Sequence, residues 1–192
     1  MGADRVKVSG SKRSGGRTRP PQSILARLAG GDRRSIGEAD QVAAIVSREP
    51  TLFPELMAAL WSEDLLVRMR AADAAEKVSR KNPELLASHK AELLGLMSAT
   101  DQQELRWHLA AMVPRLALNA KDRQRAVACL KDYLNDRSSI VKTFALNGLA
   151  DLARSDSALL SPVIELLRQA ERTGTPAMKA RSRRLLLNLE RG

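Results

Sequence analysis

Four stretches of this sequence repeat one pattern: VRMRAADAAEKV from Val67, LRWHLAAMVPRL from Leu105, VKTFALNGLADL from Val141 and MKARSRRLLLNL from Met178, with starts 38, 36 and 37 residues apart. Self-similarity at such a period marks a chain built from stacked copies of one supersecondary unit. In every copy small or apolar residues fill the first, fifth, eighth, ninth and twelfth places, which is the spacing of one face of an α-helix. The stripes are Val67, Ala71, Ala74, Ala75 and Val78; Leu105, Leu109, Met112, Val113 and Leu116; Val141, Ala145, Gly148, Leu149 and Leu152; and Met178, Ser182, Leu185, Leu186 and Leu189. Ser182 alone breaks the apolar pattern.

A second apolar run precedes each stripe: LFPELMAALW, HKAELLGLMSA, RAVACLKDYLN and SPVIELLRQAE. Between run and stripe lie Ser62-Glu63-Asp64, Thr100-Asp101, Asn135-Asp136-Arg137-Ser138 and Thr173-Gly174-Thr175-Pro176, all helix-stopping and N-capping chemistry. Each unit is therefore predicted to be an antiparallel helix hairpin. Hairpins of this size cannot bury their apolar faces alone, so they are expected to stack into an α-solenoid. Aromatics at 3% of the chain leave little material for strands, and the fold class expected is all-α.

The pattern resembles the HEAT repeats, helix pairs with an aspartate near the turn and Val-Arg opening the second helix. Asp64 with Val67-Arg68, Asp101 with Leu105-Arg106 and Asp136 with Val141-Lys142 carry the likeness; the fourth unit keeps Met178-Lys179 but has Thr175 in the turn. The resemblance implies a right-handed solenoid of about four repeats from Leu52 to Glu190, with second helices lining a concave face. It also implies a structural ladder in which Arg68, Arg106 and Lys142 pair with Asp64, Asp101 and Asp136 of their own turns; the other reading of that basic column is a track for phosphates or an acidic peptide. Residues 23–49 look like a degenerate first unit whose second helix contains Val42, Ile45 and Val46.

The net charge of +10 sits at the ends. Residues 1–20 carry six basic groups, among them Lys12, Arg13, Arg17 and Arg19, against Asp4 alone. Rich in Gly, Ser and Pro, residues 1–21 read as a disordered basic arm ahead of a repeat domain over 22–192, either a tether for a polyanion or a solubilising tail. Residues 168–192 carry seven basic groups against Glu171 and Glu190, and Lys179, Arg181, Arg183 and Arg184 crowd one helix as candidate phosphate contacts. GGDRRSIG, from Gly30 to Gly37, reads as a turn capped by Asp32 or Ser35, or as a weak phosphate cradle with Arg33 and Arg34.

Trp107 falls almost opposite the Leu105 stripe, so it is expected outside the core of its own repeat. With Met69 and Thr143 at equivalent places, and Arg70, Asp73 and His108 beside them, it forms a candidate partner-binding face; the alternative is that the indole fills a groove between repeats. A single cysteine, Cys129, and two histidines supply no metal site, and no cofactor motif occurs. The HEAT resemblance admits one enzyme class, the alkylpurine DNA glycosylases, toward which Trp107, Arg106 and Asp73 match by residue type only. The function expected is a non-enzymatic scaffold recognising a protein partner; the alternative is a nucleic-acid-binding accessory protein. With no segment approaching the roughly 18 apolar residues of a membrane span, a cytoplasmic location is expected, without a membrane or a small-molecule substrate.

Overall fold

The computed structural model describes residues 23–30 and 37–191. Those residues form helices and no strand. In chain order the α-helices are α1 (Ile24–Leu28), α2 (Ala39–Arg48), α3 (Phe53–Ala58), α4 (Leu65–Lys81), α5 (Lys90–Ala99), α6 (Gln103–Met112), α7 (Ala120–Tyr133), α8 (Ser139–Ala153), α9 (Ser157–Thr173) and α10 (Pro176–Glu190). Each of the four repeated segments lies in one even-numbered helix from α4 to α10. The α6 segment finishes in a 3-10 turn, Val113–Arg115, where Pro114 cannot donate the next helical hydrogen bond.

Two layers result. Helices α2, α4, α6, α8 and α10 pack successively against one another, while α3, α5, α7 and α9 each pack on the helix that follows. The apolar stripes are the cause: every stripe residue is buried except Met178, which is half-buried. Ser182 occupies its stripe place fully buried, its hydroxyl without a hydrogen-bond partner. In the degenerate first unit Val42 and Val46 are buried in α2 and Ile45 is half-buried.

Gly148 explains why one stripe tolerates a glycine in mid-helix. A Cβ there would lie 2.7 Å from the Ala110 carbonyl oxygen, so the missing side chain lets α8 close on α6. In the other layer, the Tyr133 hydroxyl donates to the Met97 carbonyl at 2.7 Å and ties α7 to α5.

The turn chemistry matches expectation at three sites of four. Asp64, Ser138 and Thr175 accept from the backbone amides of Leu66, Val141 and Met178. At α6 the cap position is Gln102, with no side-chain cap bond, and Asp101 is exposed. Helix α2 likewise starts at Glu38 without a side-chain cap.

The ladder differs from expectation. Arg106 does not pair with Asp101; its Nη1 lies 2.6 Å from Asp136 in the turn of the following unit, while its Nε donates to the Thr100 carbonyl. The guanidinium stacks over Tyr133 at 5.1 Å from the ring centroid, so its planar fork is oriented between units rather than back along its own helix. Asp64 is used as a cap, and no ion pair joins it to Arg68, whose buried Nε has no hydrogen-bond partner. Lys142 and Asp136 form no pair, because Asp136 is committed to Arg106 and to the Ser138 amide.

Candidate binding face

The side of α4, α6, α8 and α10 that carries Trp107 is a set of matching places on neighbouring helices. Met69, Trp107 and Thr143 occupy one row, and each is half-buried. Asp73, Ala111 and Asn147 form the next row, also half-buried. Side chains in successive packed helices shield one another this way while keeping one edge open, because α4, α6 and α8 pack side by side. Trp107 packs against the margin of the core, and its ring stands 5.6 Å from that of His108.

His108 is the row neighbour of Trp107. Burial is the main cause that pushes its pKa down to about 4, and Lys77 adds to this, whereas Asp73, Glu76 and Glu104 pull the other way. The imidazole is therefore neutral at neutral pH and can both donate and accept a hydrogen bond. That differs from the poise near 7 required of a general acid or base.

Arg70 is corrected. Expected on this face, it is 1% exposed and donates from Nη1 to the carbonyls of Leu28 and Gly30. These acceptors lie at and just beyond the end of α1, where helix carbonyls lack intrahelical partners. The guanidinium also packs so closely against Gly37, whose φ is +53°, that a Cβ there would sit 2.8 Å from its Cζ.

Charged groups cross the face in a chain. Lys77 bridges Asp40 of α2 and Asp73 of its own helix. Glu76, almost fully buried, is held by Arg80 and by Arg115, which also donates to the Glu76 carbonyl at 3.0 Å and to Ser79 Oγ at 2.9 Å. Burial alone raises the Glu76 pKa, but the hydrogen bonds and charges of the two arginines outweigh it and hold the carboxyl below its ordinary value. Further along, Arg181 donates to Asn147 Oδ1 at 3.2 Å, and Asn147 Nδ2 donates to Asp151 at 2.7 Å. Burial pushes Asp151 up despite the opposing charges of Arg154, Arg115 and Arg181.

The basic residues of α10 do not form one patch. Arg181 reaches inward to Asn147, whereas Arg183 pairs with Glu171 of α9 at 3.1 Å. Lys179 is half-buried and Arg184 exposed. Lys12, Arg13, Arg17, Arg19, Arg33 and Arg34 lie outside the described residues. The trio suggested by the glycosylase likeness is dispersed in its bonding, since Arg106 is committed to Asp136 and Thr100, and Asp73 to Lys77. Among the described residues no three His, Cys, Asp or Glu side chains converge as a metal site, and no helix is long and apolar enough to cross a membrane.

Arg115, Asn147 and Asp151 were not singled out in the sequence, where they are polar residues off the apolar stripe, and only the folded register reveals which of them meet.

No family model and no curated protein matches the chain. Among solved structures it is similar to the crystal structure of an engineered protein, a target of the Northeast Structural Genomics Consortium, with a TM-score of 0.61 and 18% identity over 88% of this chain and 78% of that one. At that identity the likeness concerns the fold alone.

Proposed function

We propose that the chain is a right-handed α-solenoid of the HEAT type, a non-enzymatic binding scaffold that holds an extended segment of a protein partner on the face of α4, α6, α8 and α10. One observation carries the reading: Met69, Trp107 and Thr143, with Asp73 and Asn147 beside them, are half-buried in matching places on neighbouring helices. Such a surface offers a large aromatic anchor with polar hydrogen-bonding groups at its margin, the composition of interface centres. Two hollows on other parts of the surface, about 530 Å³ beside α7 and about 640 Å³ among α7, α8, α9 and α10, include no residue of this face.

Nucleic-acid binding is the second reading, favoured by the charge of the first twenty residues. The pairing of Arg183 with Glu171 speaks against a phosphate track along α10. The test is a titration of labelled duplex DNA, single-stranded DNA and RNA across a salt series, run beside affinity capture from lysate with wild type and a Met69→Asp/Thr143→Arg variant. The scaffold reading expects protein capture that the variant loses, and weak nucleic-acid binding at physiological salt. Tight binding that falls steeply with salt and vanishes on deleting residues 1–20 would replace it.

A further inference from the structure

The face described above is not uniform in charge. Toward its first helices the carboxylates of Asp40, Asp73 and Glu76 are matched by Lys77, Arg80 and Arg115. Toward its last helices one carboxylate, Asp151, faces Arg154 at 3.6 Å and the charge of Arg181, and Arg184 stands beside Arg181. Neither Arg181 nor Arg184 forms an ion pair among the described residues. The hydrogen bond of Arg181 there goes to the neutral Asn147 Oδ1, and Asn147 is held in that orientation because its amide nitrogen is used on Asp151.

Burial first, and then the neighbouring charge of Arg184, disfavour the protonated Arg181 guanidinium, with Asp151 only partly offsetting them. Two cations one helical turn apart, one of them half-buried, are costly unless an anion joins them. A planar guanidinium presents its fork best to a carboxylate or phosphate.

Resting on the scaffold reading, we propose that Arg181 and Arg184 take acidic side chains of the bound protein segment, while Met69 and Trp107 take an apolar side chain of the same segment. The spacing follows from the packing. Two helix-to-helix steps separate α6 from α10, each roughly 8–10 Å, so Trp107, the nearer edge of the apolar subsite, lies roughly 16–20 Å from the arginines. An extended chain at about 3.3–3.6 Å per residue crosses that span in about five residues. The ligand is then a segment with an aspartate or glutamate about five positions from a large apolar residue.

A library of random twelve-residue peptides displayed on phage tests this against the full chain. The expected selection on wild type is enriched in Asp or Glu about five residues from Leu, Phe or Trp. Arg181→Glu with Arg184→Glu should weaken the selected peptides at least about tenfold while helical circular dichroism is unchanged. Arg181→Gln with Arg184→Gln, which keeps hydrogen-bond donors, should weaken them less. Selected peptides that depend on Met69 and Trp107 but carry no acidic enrichment would overturn the inference and leave the scaffold reading intact. No selection above background would sink both. Duplex DNA or RNA bound through Arg181 and Arg184, tested in a parallel salt series, would overturn the choice of an acidic protein segment.

Discussion

Replacing Arg115 by alanine tests how one unit is fastened to the next. Arg115 follows α6, and its Nη1 donates to the Glu76 carbonyl at 3.0 Å and to Ser79 Oγ at 2.9 Å, both on α4, while Nη2 pairs with the Glu76 carboxylate. The Glu76 side chain is 7% exposed and that of Arg115 23%. Each hydrogen bond from a charged donor is worth about 1.5–3 kcal/mol when its partner is left buried. Water entering along the vacated arginine path recovers part of that, so the expected loss is about 3 kcal/mol, with about 2 kcal/mol as the lower bound. Arg80→Ala is the control: it removes the other partner of Glu76, but its side chain is 65% exposed and the cost should be about 0.5 kcal/mol. Urea denaturation gives both numbers from the midpoint shift at constant slope. Because the folded Glu76 pKa is lowered from 4.5, its contribution is present above pH 4.5 and is lost as pH falls below that through the folded value. Arg115→Ala should blunt that acid loss as well. A loss no larger than that of Arg80→Ala would refute the claim that this pair joins the units.

Three other outcomes are expected. Burial has lowered the His108 pKa from 6.5 to about 4, so the folded state binds fewer protons than the unfolded one; its stability contribution is full above pH 6.5 and declines toward pH 4. The loss between pH 7 and 5 should be about 2 kcal/mol by denaturation at both pH values, and His108→Gln should remove it. Gly148→Ala places a Cβ 2.7 Å from the Ala110 carbonyl and should cost about 1–3 kcal/mol in chemical denaturation, although alanine is the better helix former; a stabilised variant would contradict the close approach of α6 and α8. Asp136→Ala should cost about 2–3 kcal/mol through loss of its 2.6 Å pair with Arg106, whereas Asp101→Ala, at an exposed position, should stay within about 0.5 kcal/mol by thermal melting.

The two expectations for Asp101 and Asp136 show where sequence reasoning stops. The apolar stripes were legible because burial of a helix face depends on residues three and four apart, and Val67 through Leu189 obey that rule within each segment. The ladder was not legible in the same way. A turn aspartate such as Asp136 has two candidate cations, Lys142 of its own helix and Arg106 of the preceding unit, and sequence distance favours the first. Arg106 reaches forward across 30 residues to Asp136 because α6 and α8 pack together, a fact of the stack and not of either segment. Arg70 illustrates the complementary difficulty. It occupies the same place in its helix as His108 and Arg181, but the degenerate first unit lays the end of α1 over it, so an equivalent place becomes interior. The polar rows of Asn147, Asp151 and Arg115 failed to stand out because polar residues off the apolar stripe look alike until neighbouring helices are set in register.

The central claim is that the face around Trp107 is where a partner binds, and fluorescence of that residue reads it directly. Trp61 is 56% exposed and remote in sequence, so Trp61→Phe leaves Trp107 as the sole indole without disturbing the core. Titrating this variant with a peptide from the display selection should shift the emission of Trp107 in a saturable way, with the same midpoint as fluorescence polarisation of the labelled peptide. Polarisation that reports binding while the Trp107 emission stays unchanged would place the partner elsewhere on the molecule and contradict the account.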